Sequence, residues 1–245
     1  MMDMTDALDQ RVLVWLARLS ELRPSLPALE PLLDVREKER AERFRLPDDR
    51  DRFVIGRGLL RHALQRFAPE LPAGWELDYT DRGRPVLPKA SGDLEFSISH
   101  TRDFIALAFA RRARVGIDLE FVQPTVDLME LAERILSESD FVAFSTFSRP
   151  EMQLAFYRAW TRKEAYLKAR GEGIATALQD VSVSFTAVET SGLMDRRENS
   201  TAHWRLHLVP VPSDYVGSLA CDDAMRRPAW CRVWIEGDAL QVQAV

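Results

Sequence analysis

The residue pattern points to an α+β protein made of two similar halves. Two long stretches with helical periodicity, ending near Phe67 and Arg170, are each followed by runs that alternate as strands do. The order helix, strand, strand therefore occurs twice. Within that repeat, Asp103-Phe104-Ile105-Ala106 and Asp214-Tyr215-Val216-Gly217 stand about half the chain apart and read as counterparts. We place the seam near residue 114, giving an N-terminal half, 1–114, and a C-terminal half, 115–245.

In chain order, Val12 to Leu16 reads as a short strand, followed by a loop through Pro24, Pro27 and Pro31. A charged helix is expected from Asp34 to Arg45. Pro47 suits a first helical turn, and a second helix should run to Phe67 with Phe53, Leu60, Ala63, Leu64 and Phe67 on its apolar stripe. Arg57 and Arg61 share a face of that helix, where a neighbouring anion would relieve their repulsion. Asp81-Arg82-Gly83-Arg84-Pro85 is turn chemistry, with Gly83 free to take positive φ. Phe96 to His100 and Asp103 to Ala110 should form a hairpin, and Val115 to Phe121 the next strand. A helix from Leu128 to Leu136 and an irregular stretch through Pro150 come next. A strong helix, Met152 to Arg170, then stops at Gly171 and Gly173. Strands are expected at Val181 to Val188, Trp204 to Val209, Tyr215 to Cys221 and Trp230 to Ile235.

Composition sets the outer bounds. The chain of 245 residues is 46% hydrophobic and 29% charged, ordinary for a soluble globular protein. No apolar run approaches the roughly 18 to 20 residues that span a bilayer, and the N-terminus is acidic, so cytoplasmic residence is the expectation. A net charge of -5 argues against wholesale nucleic-acid binding. Locally the balance inverts: between Arg36 and Arg66 ten Arg and Lys face six Asp and Glu, a segment suited either to an anion or to a solvated helix surface. Cys221 and Cys231 are the only cysteines and form no CxxC pair; they read as reduced structural residues, with a mutual disulfide as the alternative.

The chemistry concentrates in Val115-Gly116-Ile117-Asp118-Leu119-Glu120. In a strand, residues two apart face the same way, so Asp118 and Glu120 project together while Ile117 and Leu119 turn to the other side. Two acids so placed repel. A hard divalent cation with oxygen ligands would resolve the conflict, and a solvated edge strand is the other resolution. On the later helix, Trp160, Glu164 and Lys168 fall on one face at four-residue intervals.

Three motifs thus stand in order: Ser97-Ile98-Ser99-His100, Gly116-Ile117-Asp118-Leu119-Glu120, and Trp160-Thr161-Arg162-Lys163-Glu164-Ala165-Tyr166-Leu167-Lys168. In this order and at these separations the chain resembles the 4'-phosphopantetheinyl transferase superfamily, in particular its two-halved, surfactin-synthetase-activating (Sfp-type) branch. The resemblance extends from about Arg36 to Gly173, with the Tyr215 strand also similar.

The resemblance implies a pseudo-duplicated fold with the active site in the cleft between the halves. It implies that Asp118, Glu120 and Glu164 hold Mg²⁺, Mn²⁺ being an alternative, beside the pyrophosphate of coenzyme A, the substrate. Oxygen ligation with room left for phosphate suits that ion. His100 and Lys168 match pyrophosphate contacts, and Ser99 a position lining the same pocket. Arg52, Arg40 and Arg84 match basic positions for the 3'-phosphate and nucleotide, where planar guanidinium forks suit phosphate. The implied reaction attaches phosphopantetheine to a serine of an apo acyl or peptidyl carrier protein and releases adenosine 3',5'-bisphosphate. Glu164 is then the candidate base for the serine hydroxyl, directly or through a water, and Lys168 supplies charge.

By the same resemblance the carrier docks on the segment from Pro124 to Phe147, where Leu128, Met129, Leu131, Ile135, Leu136, Phe141, Phe144 and Phe147 exceed what a loop needs and Arg134 could face an acidic partner. A monomer is expected, with no nucleic-acid or membrane partner. Two other readings compete: a Mg²⁺-dependent nucleotide phosphohydrolase and a non-catalytic coenzyme A or carrier-binding module. The first lacks a P-loop or a histidine cluster, and the second leaves four interdependent charges, Asp118, Glu120, Glu164 and Lys168, without a purpose.

Overall fold

The computed structural model describes residues 7–72, 74–81, 83–88, 91–123, 127–172, 178–188, 192–237 and 239–245. The chain divides into two units, one of Met1–Arg112 with Arg227–Val245 and one of Ala113–Arg226.

In the first unit, strand β1 (Arg11–Arg18) runs through six consecutive buried residues, as its Val, Leu and Trp content dictates for a strand covered on both faces. A Pro-containing segment of single helical turns leads to helix α1 (Val35–Glu42), which starts at Asp34 with a capping box to Glu37. Helix α2 (Pro47–Phe67) has the expected bounds, with Pro47 in its first turn. The Gly83 turn forms as expected, with Gly83 at φ 76° and its amide donating to the Thr80 carbonyl at 2.8 Å, whereas Arg82 lies outside the described residues. Strands β2 (Leu94–Thr101) and β3 (Phe104–Arg111) make the hairpin. Trp15 from β1, Phe109 from β3 and Phe67 from α2 meet edge to face at 5.3 to 5.7 Å and anchor the core.

The second unit opens with β4 (Val115–Phe121), followed by helices α3 (Leu128–Ile135), α4 (Glu138–Phe144) and α5 (Arg149–Arg170), then β5 (Arg205–Leu208) and β6 (Tyr215–Cys221). Helix α5 ends at Gly171, the expected stop; Gly173 lies outside the described residues. The chain then returns to the first unit as β7 (Arg227–Glu236) and β8 (Ala239–Ala244). The first sheet has the order β8-β7-β1-β3-β2 and the second β4-β6-β5. A division at residue 114 therefore follows only the first crossing of the chain. Residues 227–245 belong with the N-terminal unit because β7 pairs parallel with β1, from Arg11↔Arg227 to Leu16↔Arg232.

The internal repeat is visible in the topology. Each unit runs strand, long helix, strand, strand, and in each sheet the last of those strands lies between the other two. Even the entry hydrogen bonds match: the Leu19 amide donates to the Asp103 carbonyl, and the Val122 amide to the Asp214 carbonyl, both at 2.8 Å. Arg18 pairs with Phe104 as Phe121 pairs with Tyr215. Three residues back from each strand end stand Trp15 in the first unit and Asp118 in the second; one back stand Ala17 and Glu120. The acids thus mark only the second copy, and the first copy fills the same register with apolar core.

Three expectations change. The strand over Val181 to Val188 shrinks to Val181–Ser182, paired with Met194–Asp195, because Arg162 takes the Ser184 and Val188 carbonyls that a longer ladder would use. The irregular stretch before Pro150 contains α4, capped by Ser137 on the Asp140 amide. Helix α5 starts at Arg149, with Ser148 and Glu151 forming a capping box. Cys221 and Cys231 are both free and buried, so the reduced reading holds.

Candidate active site

Strand β4 supplies a row of three residues on its α5-facing side: Gly116, Asp118 and Glu120. Gly116 sets the spacing. A Cβ there would run into the Ala165 carbonyl oxygen and the Ala169 amide nitrogen of α5, so only glycine lets strand and helix approach this closely. Ala165 and Ala169 are themselves small and buried. One position before each stand Glu164 and Lys168, a turn apart on α5, and the close approach brings them over the acids of β4. Thr161 Oγ1 and Ser218 Oγ, 2.9 Å apart, fasten the same helix to β6 at the position paired with Asp118.

Lys168 Nζ donates to Asp118 Oδ1 at 2.6 Å and to the Ile117 carbonyl at 3.1 Å. Asp118 is 5% exposed and Glu164 3%. Glu164 Oε1 is buried with no hydrogen-bond partner among the described residues. Burial, then the charge of Asp118, pushes the Glu164 carboxyl up to about 7; Lys168 opposes the rise and Glu120 adds to it. The four side chains are therefore electrostatically coupled. Among the described residues no three His, Cys, Asp or Glu side chains stand as a ready-made metal cage.

The remaining candidates belong to the first unit. Ser99, on β2 opposite Ala106, is buried, and His100 opposite Ile105 is exposed. Arg52 donates to Asp49 Oδ1 at 2.7 Å and to the Arg102 carbonyl at 3.3 Å. Arg40 is exposed, with its guanidinium 5.2 Å over the Phe53 ring. Arg84 lines a cavity of about 230 Å³ with Pro88, Ser91 and Leu94, reaches the Phe96 carbonyl at 3.5 Å and stands 3.6 Å from Glu95. Burial lowers its pKa.

Comparison with known proteins agrees with this layout. The family model described as the 4'-phosphopantetheinyl transferase superfamily matches residues 114–220. A second model, 4'-phosphopantetheinyl transferase, N-terminal, matches residues 20–112. The two meet at the seam between the units. The 4'-phosphopantetheinyl transferase HetI of Nostoc sp. is 35% identical over 205 residues, covering 83% of this chain and 84% of its own. The chain belongs to the 4'-phosphopantetheinyl transferase superfamily. A phosphopantetheinyl transferase of Thraustochytrium sp. is 30% identical, over 84% of this chain and 77% of that one.

In this transferase the donor set of Asp118, Glu120 and Glu164 fits a hard divalent cation. All the donors are oxygens, the carboxylates raise one another's cost of ionising, and the Glu164 Oε1 atom is buried without a partner. The rest of the helical motif has structural work that the sequence reading missed. Lys163 is fully buried and donates to the Ile135 and Leu178 carbonyls at 2.8 and 2.9 Å, and burial brings its pKa down to about 8. Arg162 holds the Val188 carbonyl at 2.9 Å, and Tyr166 donates to Asp195 at 3.0 Å. Partners that distant in sequence leave no periodic signal.

Of the apolar residues expected to dock a carrier, Met129 and Leu131 are 39% and 37% exposed. Ile135, Leu136 and Phe144 are buried, and Leu128, Phe141 and Phe147 pack against the core. Val142, which the sequence did not single out, is 64% exposed on the same segment. Pro124 to Val126 lie outside the described residues.

Proposed function

We propose that this phosphopantetheinyl transferase takes coenzyme A as donor and a serine of an apo acyl or peptidyl carrier protein as acceptor, with Mg²⁺ bound by Asp118, Glu120 and Glu164. The observation that carries this reading is the state of Glu164: a buried carboxyl with an unused oxygen, raised to about 7 beside two further acids and one lysine. In the metal-free protein burial and the neighbouring acids raise the proton affinity of this carboxyl, and a bound cation would draw it back towards the ionised form that a base requires.

Glu164 takes the proton of the serine hydroxyl, directly or through a water, as the serine oxygen bonds to the β-phosphorus of coenzyme A. The bond from that phosphorus to the bridging oxygen breaks, and adenosine 3',5'-bisphosphate leaves with the electron pair. Bound Mg²⁺ supplies charge neutralisation at the diphosphate. Lys168 lends positive charge to the same oxygens, and Asp118 orients it through their 2.6 Å hydrogen bond. His100, Ser99, Arg84, Arg52 and Arg40 bind the diphosphate and nucleotide. Rigidity of α5, fixed by its buried polar anchors, supports positioning as the larger source of rate.

The carrier docks on α3 and α4, where Met129, Leu131 and Val142 offer apolar surface. Incubation with coenzyme A, Mg²⁺ and a panel of apo carrier domains, followed by intact mass, tests the reading: at least one carrier gains phosphopantetheine, and chelation of the metal stops the gain. Hydrolysis of coenzyme A with no carrier modified would sink it. Met129→Asp should lower transfer without changing coenzyme A binding; equal transfer would remove the docking assignment.

A further inference from the structure

The exposed large hydrophobic residues of α3 and α4 are Met129, Leu131 and Val142. Each has an acid four positions away, about one helical turn along the same side: Glu133 for Met129, Asp127 at the N-cap of α3 for Leu131, and Glu138 for Val142. All three acids are exposed.

The surrounding charges do not offset them. Residues 127–147 hold five acids, Asp127, Glu130, Glu133, Glu138 and Asp140, and a single basic residue, Arg134. On sequence alone Arg134 was the cation that could face an acidic partner, but its guanidinium ion-pairs with Glu130, one turn back on α3. Asp140 stands 3.9 Å from Lys163 Nζ. Arg149 and Glu151, both exposed where α5 begins, cancel. Asp127, Glu133 and Glu138 therefore have no ion-pair partner among the described residues. Apolar contacts bordered by uncompensated negative charge suit a partner that is apolar at its centre and basic at its rim. A partner with an acidic rim meets like charge beside every contact.

We propose that this enzyme selects carrier domains by the sign of their docking surface: Asp127, Glu133 and Glu138 favour a carrier whose apolar patch is bordered by Lys or Arg, and disfavour one bordered by Asp or Glu. That the occupant of this face is a carrier rests on the function proposed above. The three acids act on encounter and touch no reacting atom.

Transfer kinetics followed by intact mass, with coenzyme A, Mg²⁺ and one apo carrier in two versions, test it. The surface around the acceptor serine carries Lys in one version and Glu at the same positions in the other. For the wild type, kcat/KM should be about tenfold or more higher for the Lys version at low salt, and the ratio should shrink as NaCl screens the charges. Glu133→Lys combined with Glu138→Lys, two exposed changes that leave the core alone, should reverse the preference. Equal kcat/KM for the two versions, a preference for the Glu version, or a double variant that keeps the wild-type ratio overturns this inference alone. A rate per enzyme that drops as enzyme concentration rises would give the face to a second copy of this chain and overturn it as well. The carrier is one that the folded wild type modifies in the panel of apo domains; a panel in which none is modified overturns the proposed function, and this inference with it.

Discussion

Lys168 is bound to Asp118 at 2.6 Å, so the one charge that lowers the Glu164 pKa is held by an acid that raises it. The strand acid places the lysine, and the lysine keeps the helix acid within reach of ionisation at neutral pH. Lys168→Met should therefore move the Glu164 carboxyl above its present value of about 7. In a pH titration of the metal-free protein followed by carboxyl NMR, the Glu164 proton should leave at a higher pH in the variant, and with Mg²⁺ present the transfer rate at neutral pH should fall by about tenfold or more as the positive charge beside the diphosphate is lost. A carboxyl that titrates as in the wild type while the rate falls would assign Lys168 to phosphate binding alone.

The same carboxyl makes the stability of the metal-free protein depend on pH. Glu164 has an ordinary value of 4.5 and a folded value of about 7. Below 4.5 both folded and unfolded chains carry the proton, and Glu164 imposes no cost. Between 4.5 and about 7 the unfolded chain gives it up first, so stability falls as pH rises; above about 7 the loss is complete and constant. In Tm measurements across this range, the wild type should decline relative to Glu164→Gln. Parallel curves would show that Glu164 titrates normally.

Gly116→Ala tests the spacing between strand and helix. The added methyl meets backbone atoms of Ala165 and Ala169, which cannot turn aside. Overpacking of this kind costs about 1–3 kcal/mol, and the displaced helix should also reduce transfer, because Glu164 and Lys168 ride on it. Denaturant unfolding alongside transfer rates checks both. Wild-type stability would mean that β4 and α5 have more freedom than the packing shows.

Lys163→Met separates scaffold from chemistry within one motif. The variant leaves the Ile135 and Leu178 carbonyls without their buried donor, a loss of about 1–3 kcal/mol. Stability should drop while the transfer rate of the folded enzyme changes little. A selective collapse of the rate at unchanged Tm would move Lys163 into the reaction.

The sequence carried the parts of this protein whose signal is local. Helix α2 shows its bounds through Pro47 and a long apolar stripe, and the acids of β4 and the Glu164–Lys168 pair follow from periodicities of two and of four. Helix α4 was illegible as a pattern because it is short, although the Ser137 cap and the Ser148–Glu151 box were there to be read. The parallel pairing of β7 with β1 joins residues from opposite ends of the chain, and nothing in either strand names its partner. Arg57 and Arg61 showed the want of an anion. That Asp34 and Glu37, from the preceding helix, are the acids facing Arg61 and Arg57 is a matter of three dimensions.

The central claim is that Glu164, buried beside Asp118, Glu120 and Lys168, takes the proton that lets a carrier serine attack. The most direct measurement is the intact mass of an apo carrier domain incubated with coenzyme A, Mg²⁺ and either the wild type or Glu164→Gln, the folded state of each being checked by its Tm. The account predicts that the wild type converts the carrier to its phosphopantetheinylated form and that Glu164→Gln leaves it unmodified. Conversion by Glu164→Gln at the wild-type rate would contradict it.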